Sequence, residues 1–402
     1  MDAIVVHYGE IGTKGENRPF FEKKLVENIK LALKDEKIIS VNRIFGRIIV
    51  ELDKENLARD FRMPEAFASE HKKSNLQNIL QKLKCVFGIA NFMPVLKANL
   101  EISDIKKKAS VLIKNLKSKS IKVDTTRPYK LFKYNSVRVN EILGDILSKK
   151  FKIILKNPEK TLFVEITEDG AFLGIEKTNG FGGLPVRVSG KVVSLLSGGI
   201  DSPVSSWLAM KRGCEVIFVH FQNDTLEKNV DKIIELAKVL KKYQNNAKLY
   251  VVPFGEAQRK IIAKVASEYR MIIYRRFMAR IAEKICEKEK ALALLTGDNL
   301  GQVASQTLEN LSCVSEAVKM QILRPLLTYD KNETVNLAKQ IGTYEISIKK
   351  YADCCSFMIA KHPVTKGKLA EIKKLEKNLN AKAIVSDCMK KAKILEVSRT
   401  AG

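Results

Sequence analysis

The stretch Lys191-Val-Val-Ser-Leu-Leu-Ser-Gly-Gly-Ile-Asp-Ser-Pro-Val-Ser-Ser-Trp207 decides the fold of this chain. Its residues 192–196 are mostly apolar and partly β-branched, which is typical of a central parallel strand covered on both faces. The glycines that follow lack β-carbons and let a ligand approach the backbone. Ser202 is a candidate N-cap with Pro203 at the first helical position. A helix N-terminus offers free N–H groups and a positive dipole end, so the stretch predicts an anion site.

The glycine turn does not fit a Walker A loop, because no Lys-Ser/Thr pair follows the glycines at the required spacing. Its pattern, Ser-Gly-Gly-x-Asp-Ser, is similar to the pyrophosphatase loop (PP-loop) of enzymes that split ATP into AMP and pyrophosphate. That similarity implies that serine hydroxyls and backbone N–H groups hold pyrophosphate, and that Asp201 helps to hold Mg²⁺ or the phosphates. The alternative is a plain Gly-Gly turn between a strand and a helix, which fits any α/β fold. We interpret the stretch as a nucleotide site.

Short apolar segments alternate with helical stretches from this point onward. The predicted strands are residues 192–196, 216–221, 249–253 and 291–296. This rhythm predicts an α/β domain with a doubly wound parallel sheet. Ligands of such sheets bind beyond the carboxyl ends of the strands, so we expect the loops at Ser197, Phe221, Pro253 and Thr296 to converge on one crevice.

The charge of the chain is one-sided. Its 402 residues include 71 Lys and Arg against 45 Asp and Glu, a formal net charge of +26. This excess indicates a polyanionic partner, either nucleic acid or an anionic membrane surface. A thermophile's charged surface is the alternative, but it usually adds Glu alongside Lys. No apolar run approaches the ~20 residues of a membrane span, and the start does not resemble a signal peptide, so we expect no membrane partner and a cytoplasmic protein.

Two further segments precede the glycine-rich linker Asn179-Gly-Phe-Gly-Gly-Leu-Pro185. The first reads strand, helix, strand and predicts a ferredoxin-like α+β unit. The second combines dense lysines with Tyr129 and Phe132, as a surface for an RNA backbone and unstacked bases requires. We therefore predict three domains, with bounds 1–73, 74–180 and 181–402.

The candidate tRNA-binding residues are basic and come from these first two segments. They are Lys14, Arg18, Lys106, Lys107, Lys108, Arg127, Lys130 and Lys133. The alternative for each is an ordinary solvated charge. Seven cysteines without framework spacing fit a reducing compartment, and without a C-x-x-C motif a zinc site is not expected.

Several stretches together resemble the ThiI family, the tRNA 4-thiouridine synthetases, over essentially the whole chain. They are Tyr8-Gly-Glu-Ile, Lys14-Gly-Glu-Asn-Arg, Phe87-Gly-Ile, Gly182-Gly-Leu-Pro, Ser197-Gly-Gly-Ile-Asp-Ser-Pro, Tyr274-Arg-Arg-Phe-Met, Thr296-Gly-Asp-Asn-Leu-Gly-Gln-Val-Ala-Ser-Gln, Leu323-Arg-Pro-Leu, Asp330-Lys and Asp353-Cys-Cys. The run that begins at Thr296 is the most specific. The resemblance implies a ferredoxin-like domain, an RNA-binding THUMP domain and an adenine-nucleotide α-hydrolase-like (PP-loop) domain.

The family replaces O4 of uridine 8 of tRNA with sulfur. The resemblance implies that ATP, with Mg²⁺, adenylates the uridine, and that a cysteine persulfide then delivers sulfur as AMP leaves. Lys331 matches the family's essential lysine and is our candidate for stabilising charge at the α-phosphate, with Arg324 as a second candidate. The adenine-nucleotide site is expected at the loop and at strand ends facing the crevice. Its candidate residues are Leu195, Leu196, Ser197, Gly198, Gly199, Ile200, Ser202, His220, Phe221, Arg276, Thr296, Gly297, Asp298, Gln302 and Gln306. Core packing explains His220 and Phe221 equally well.

The candidate catalytic residues are Asp201, Lys331, Cys354 and Cys355. Cys354 falls on the family's sulfur-handling cysteine, counted without gaps from Lys331. A resolving thiol would be Cys355, Cys388 or Cys313, and the sequence leaves this choice open.

Some family members add a rhodanese domain, but this chain ends at Gly402, so we expect the form without it. Sulfur would then come from a separate cysteine desulfurase or from free sulfide. The likeness further implies a homodimer and leaves a role in thiamine thiazole synthesis open. Two rival functions are an AMP-forming ligase for a small molecule and a catalytically silent tRNA-binding protein.

Overall fold

The computed structural model describes residues 1–44, 46–53, 75–223, 230–350 and 360–397. It divides into two compact units, Met1–Leu184 and Pro185–Gly402, and each unit has its own sheet and its own buried hydrophobic clusters. None of the helices in the described ranges is both long enough and apolar enough to cross a membrane.

The first unit is built on one nine-stranded sheet. Its strands are β1 Ala3–Tyr8, β2 Ile38–Ile44, β3 Arg47–Leu52, β4 Ile89–Ala98, β5 Ser120–Thr126, β6 Lys152–Ile153, β7 Lys160–Thr167, β8 Gly170–Gly174 and β9 Thr178–Asn179. They lie in the order β2-β3-β1-β4-β8-β7-β5-β6, and β9 pairs with β4. The long strand β4 joins two halves, because its first part pairs antiparallel with β1 and its last part with β8.

Helices cover each half of this sheet separately. They are α1 Arg18–Ala32, α2 Asn75–Lys84, α3 Ile102–Ile113 and α4 Ser136–Leu147. The first two helices pack on β1 in a core that includes Leu25, Ile79 and Ile4. The other two pack in a second core, with Ile105 and Leu143 against β5, β7 and β8. Helix α2, which the predicted boundary assigned to the second domain, therefore packs in the core of the first half.

The second unit carries a six-stranded sheet in the order β14-β13-β10-β11-β12-β15. Its strands are β10 Lys191–Leu195, β11 Glu215–Gln222, β12 Lys248–Pro253, β13 Ala293–Leu295, β14 Ile322–Leu323 and β15 Lys393–Glu396. All pairs are parallel except β12 with β15, so the predicted parallel sheet is confirmed and gains an antiparallel edge strand. The chain runs outward from β10 through β12 and then returns to place β13 on the other side of β10. This reversal is the kind of position at which open α/β sheets bind ligands.

The helices of this unit alternate with its strands. They are α5 Asp201–Lys211, α6 Asp231–Gln244, α7 Gly255–Ile262, α8 Arg270–Glu289, α9 Leu308–Ser315, α10 Lys331–Ile341, α11 Tyr344–Ser347, α12 Leu369–Lys377 and α13 Ala381–Lys391. Helix α8 packs its buried face, including Phe277, on Val193 and Val219 of the sheet. Short 3₁₀ helices lie at Glu10–Thr13, Gly15–Asn17, Ser267–Tyr269 and Ala304–Gln306.

Candidate active site

A cavity of about 300 Å³ opens where β10, β11 and β13 end. Ser197, His220 and Thr296 are among its lining residues, one from the end of each strand. Pro253, at the end of β12, instead lines a smaller recess of about 60 Å³ beside α7 and α13. Three of the four loops that we expected to converge therefore do so.

The glycine turn after β10 is closed by serine hydroxyls. The backbone N–H of Ser197 donates to the Ser202 hydroxyl at 2.9 Å, and the two serine hydroxyls lie 3.1 Å apart. Helix α5 begins at Asp201 with Ile200 as its N-cap. The predicted N-cap at Ser202 is wrong, because this hydroxyl closes the turn instead of capping the helix.

A second glycine brings the 296–306 loop, here called the nucleotide loop, against this helix start. A Cβ on Gly297 would lie 2.7 Å from the backbone nitrogen of Ser202, which leaves no room for any side chain. The Ser205 hydroxyl of α5 donates to the Thr296 carbonyl at 2.7 Å. Only glycine permits this approach, which explains physically why the loop carries Gly297 after its strand.

Asp201 lies at the centre of a charged cluster beside the cavity. Lys331 Nζ contacts its two carboxylate oxygens at 2.8 and 3.1 Å, and Gln302 Nε2 donates to Oδ2 at 3.0 Å. The Lys331 side chain is 46% exposed and that of Asp201 is 21% exposed, so both groups are accessible to a ligand. The structure thus brings three predicted site residues together from three separate segments.

Local signals explain how Lys331 is placed there. Asp330 caps α10, because its carboxylate accepts a hydrogen bond from the Glu333 N–H. The Glu333 carboxylate accepts one from the Asp330 N–H, so the two residues form a capping box. Lys331 is therefore the first residue of the helix. The helix ends at Gly342, whose φ of 79° is a left-handed conformation that favours glycine.

Asp298 forms a second, buried cluster in the cavity wall. Its carboxylate accepts hydrogen bonds from Arg275, from the Thr296 hydroxyl at 2.8 Å and from Arg324 Nε at 3.2 Å. Burial by itself would raise the pKa of Asp298, but the charge of Arg275, the Thr296 hydroxyl and Arg324 together hold that pKa below its usual value. Gln306 completes the cluster, with Nε2 3.5 Å from Asp298 and a buried Oε1 that has no partner in the described part of the chain.

Arg276, which the sequence suggested as a nucleotide-binding residue, does not line the cavity, but its neighbour Arg275 does. Arg276 is 1% exposed and is surrounded by Glu376, Glu316 and the Cys313 carbonyl, so it supports the core and does not line the cavity. Arg275, one residue earlier on α8, does line it. Arg324 donates to Asp298 and to the Ser315 hydroxyl, which makes it a support for the buried carboxylate.

The remaining predicted nucleotide residues divide into two groups. Those that line the cavity are Leu195, Leu196, Ser197, Gly199, Ser202, His220, Phe221, Thr296, Gly297, Asp298 and Gln306. Gly198 and Ile200 lie in the glycine turn, and Gln302 is bound to Asp201. His220 is buried, with Nδ1 2.9 Å from the Leu196 carbonyl.

The sequence prediction missed one wall of the cavity. Helix α8 contributes Met271, Arg275, Met278 and Ala279 to the lining. Their spacing of four, three and one is that of a single helical face, and this periodicity was visible in the sequence. It did not by itself distinguish a cavity wall from ordinary core packing.

The structure describes two of the four cysteines that were considered for sulfur transfer. Cys354 and Cys355 lie outside the described residues. Cys313 is buried and donates to the Gly367 carbonyl at 3.3 Å, and burial raises the pKa of its thiol. Burial likewise raises the pKa of Cys388 to about 11. Both shifts disfavour the thiolate that acts as a nucleophile.

The predicted tRNA-binding residues of the first unit fall into exposed and structural sets. Four of the lysines are exposed, namely Lys106, Lys107, Lys130 and Lys133, whereas Lys108 is half-buried. Arg127 donates to the carbonyls of Lys130 and Phe132 at 2.7 and 3.0 Å, which closes their loop. At the tip of this loop Leu131 is 83% exposed.

The two basic residues near the N-terminus are paired with acids. Lys14 Nζ lies 3.3 Å from Glu10. Arg18 donates to Glu22 at 2.8 Å and to the Tyr8 hydroxyl at 2.7 Å. These contacts hold the loop between β1 and α1 in place.

Three family models match successive parts of the chain. Residues 3–62 match the ThiI ferredoxin-like domain, residues 100–176 match the THUMP domain, and residues 187–381 match the model described as thiamine biosynthesis protein (ThiI).

Whole-chain relatives agree with these matches. A protein of Thermoanaerobacter pseudethanolicus named "Probable tRNA sulfurtransferase" is 41% identical over 96% of this chain and 98% of its own length. A Moorella thermoacetica protein of the same name is 39% identical over 98% of this chain and 97% of its own.

A solved structure is similar over the full length. The crystal structure of a 4-thiouridine synthetase–RNA complex with bound ATP is 34% identical, with a TM-score of 0.86, and covers 99% of this chain and 100% of that one. A Pyrococcus horikoshii protein, PH1313, shares the fold at 22% identity and a TM-score of 0.65, over 85% of this chain and 100% of its own.

Proposed function

Because this chain belongs to the ThiI family, we propose that it is an ATP-dependent tRNA sulfurtransferase that makes 4-thiouridine at position 8 of tRNA. The observation that carries the proposal is the convergence of Asp201, Lys331 and Gln302 beside a cavity at the end of β10. Such a cavity, next to a helix N-terminus and a lysine, suits a polyphosphate.

In the first step, uridine O4 attacks the α-phosphorus of ATP, pyrophosphate leaves, and the N3 proton of the uridine is lost. Lys331 lies 2.8 Å from Asp201, beside the glycine turn, so its ammonium group is available to negative charge that develops on the phosphates. The start of α5 adds its positive dipole end. Asp201 keeps the ammonium group in place before the nucleotide arrives.

In the second step, sulfur replaces the activated oxygen. The terminal sulfur of a persulfide on Cys354 or Cys355 attacks C4, and AMP leaves with the electron pair of the C4–O4 bond. A second thiol then attacks the inner sulfur, which gives 4-thiouridine and a protein disulfide. Where the donor is free sulfide, it attacks C4 directly and no disulfide forms. Burial raises the pKa of the Cys313 and Cys388 thiols, which disfavours either of them as the second thiol.

Mg²⁺ fits this site through Asp201. Magnesium in nucleotide sites is held by one or two carboxylates and by phosphate oxygens, so one accessible carboxylate next to the turn is sufficient. Within the described ranges no cluster of three or more His, Cys, Asp or Glu side chains forms a protein-only metal site. When bound, the ion would be held by the Asp201 carboxylate and would neutralise phosphate charge.

The adenosine end would bind at the opposite part of the lining. Gln306 offers the buried Oε1 as an acceptor for an exocyclic amino group, and Arg275 offers a guanidinium held by Asp298. Apolar groups such as Met278 and Phe221 would cover the purine. The arginine proposed to bind the nucleotide is therefore Arg275 and not Arg276.

The tRNA would bind through the exposed lysines of the first unit, chiefly on α3 and on the loop closed by Arg127. The sulfur source, a cysteine desulfurase or free sulfide, is a proposal from the family, as are the homodimer, the cytoplasmic location and a thiazole role.

The test is 4-thiouridine formation on unmodified tRNA with ATP and Mg²⁺, with either a cysteine desulfurase or sulfide as donor. We expect Cys354→Ala to lose activity with the desulfurase and to keep it with sulfide, because sulfide needs no persulfide carrier. Cys355→Ala is the matched variant and separates carrier from resolving thiol. A chain that makes no 4-thiouridine with either donor would contradict the proposal. ATP–pyrophosphate exchange without tRNA would favour a small-molecule ligase.

A further inference from the structure

The chain that follows the two adjacent cysteines is fixed at residues 364–367, here called the return segment. The Thr307 hydroxyl donates to the Thr365 carbonyl at 2.6 Å. Asn310 Nδ2 donates to the Val364 carbonyl at 2.8 Å, and the Gly367 N–H donates to Asn310 Oδ1 at 3.0 Å. A Cβ on Gly367 would lie 2.7 Å from Asn310 Oδ1, so the return segment packs directly on this amide.

The same amide also holds the nucleotide loop. Asn310 Nδ2 donates a further hydrogen bond to the Ala304 carbonyl at 2.8 Å. The next two residues, Ser305 and Gln306, line the cavity, and the Ser305 carbonyl accepts from Arg275 at 3.1 Å. Asn310 is fully buried, and both of its side-chain polar atoms are used. One side chain thus joins the cavity wall to the return segment.

The upstream end of the cysteine-bearing segment is fixed elsewhere. Lys232 of α6 donates to the carbonyls of Ser347 and Lys349 at 2.9 and 2.6 Å. Lys349 in turn contacts Glu235, also on α6, at 2.6 Å. None of these residues lines the cavity described above. These contacts hold residues 347–349 on α6, and their partners are not residues of the nucleotide loop.

We propose that Asn310, assisted by Thr307, is a positioning residue that couples the nucleotide loop to the return segment, which follows the two adjacent cysteines in the chain. The inference rests on the proposed function, since it assigns the coupling to the step in which sulfur reaches the adenylated uridine. A shift of the nucleotide loop on ATP binding moves the Ala304 carbonyl, and the shared amide transmits that shift to residues 364–367. A buried amide that bridges two loops is costly to leave half-satisfied, so the two loops move together.

The first experiment measures the alkylation rates of Cys354 and Cys355 by iodoacetamide, with peptide mass spectrometry. Full-length protein is compared with and without Mg²⁺ and α,β-methylene-ATP. In the wild type we expect the nucleotide to change the rate about fivefold or more, as expected for a coupled pair of sites. Thr307→Val is expected to remove most of this change, whereas Thr307→Ser keeps the hydroxyl and is expected to retain it.

Asn310→Asp is the second variant, because it keeps the size of the side chain and removes the donor to Ala304 and Val364. Thermal unfolding shows whether Asn310→Asp still folds. If it does not fold, the test rests on Thr307→Val alone. Lys232→Met is the control. We expect it to change the alkylation rates with and without nucleotide by the same factor, so that the response to nucleotide is kept. A wild-type rate unaffected by nucleotide, or an undiminished response in Thr307→Val, would overturn the coupling.

The second experiment separates the two half-reactions. The Thr307 hydroxyl donates to Thr365 and also caps α9 by accepting from the Asn310 N–H at 3.2 Å, so Thr307→Val removes two hydrogen bonds. We expect this variant to lower 4-thiouridine formation about tenfold or more, while tRNA-dependent ATP–pyrophosphate exchange stays near the wild-type rate. Equal losses in both reactions would point to a general structural role and would contradict the inference. A wild-type protein that makes no 4-thiouridine would instead contradict the proposed function.

Discussion

The nucleotide cavity of the second unit and the lysine-rich surface of the first unit use charge in opposite ways. Asp298 is buried and held between Arg275 and Arg324, and Asp201 is held by Lys331 and Gln302. Lys107 and Lys130 are exposed. For the attraction of RNA, the number of such lysines matters more than the exact position of each one. Phosphoryl transfer requires charges fixed within fractions of an ångström, whereas attraction of an RNA backbone requires only their sum. Substitutions should therefore have large effects in one region and small, additive effects in the other.

The largest expected effect is at Asp298. Asp298→Asn leaves two guanidinium groups, each about 14% exposed, without their buried carboxylate partner, and the loss of one partner of a buried ion pair costs about 3–5 kcal/mol. We expect the free energy of unfolding of the second unit to fall by that order, as measured by urea denaturation. Glu287→Gln, which removes an exposed ion pair with Lys284 on α8, is the matched control and should cost much less. A fall below about 1 kcal/mol for Asp298→Asn would show that this cluster is no more rigid than the lysine-rich surface.

Lys331→Ala comes next, with an effect on rate and not on stability. Removing one preorganised group that stabilises transition-state charge costs about 10²–10³-fold in turnover. We expect a loss of this order in tRNA-dependent ATP–pyrophosphate exchange, with tRNA affinity unchanged. Lys339→Ala, on the same helix but over the Tyr344 ring, is the control. If Lys331→Ala mainly weakened tRNA binding, the residue would belong with the RNA surface.

The pH dependence of the free energy of unfolding tests the buried Asp298 carboxylate without removing it. The pKa of Asp298 is lowered in the folded state, so its contribution to stability is fully present above the ordinary aspartate value and is lost as pH falls through the folded value. Below about pH 4 we expect the wild type to lose stability more steeply than Asp298→Asn, by at most about 1.4 kcal/mol per pH unit from one proton. Urea denaturation at several pH values measures both slopes. Parallel curves would contradict a depressed pKa at this position.

The sequence allowed much of this organisation to be predicted, because the decisive signals are local. The apolar run before Ser197, the paired glycines and the alternation of strands with helices predicted the parallel sheet, and the structure confirms it. The capping box of Asp330 and Glu333, which makes Lys331 the first residue of α10, is likewise built from residues that are neighbours in the sequence.

Other features depend on tertiary contacts that no local pattern reports. Arg275 and Arg276 are adjacent and chemically identical, and only the packing of α8 decides which of them meets the cavity and which meets Glu376. Ser202 had the composition of an N-cap, but the tight turn directed its hydroxyl to Ser197. The bridging role of Asn310 joins residues 54 positions apart, and sequence spacing gives no sign of it.

The smallest effects are expected on the lysine-rich surface, one lysine at a time. Each phosphate neutralised by a lysine releases condensed counterions, which gives log affinity a slope of about −0.7 to −0.9 per contact against log salt concentration. Lys107→Ala should therefore reduce the slope of tRNA affinity by about one contact and leave the exchange rate at saturating tRNA unchanged. Lys284→Ala, which removes another exposed lysine, one that is paired with Glu287 on α8, is the matched control and should leave the slope nearly constant. Titrations of fluorescent tRNA at four salt concentrations measure both slopes. If Lys107→Ala lowered turnover at saturating tRNA while the slope stayed constant, this lysine would be held as specifically as the charges of the cavity, and the contrast between the two regions would fail at that residue.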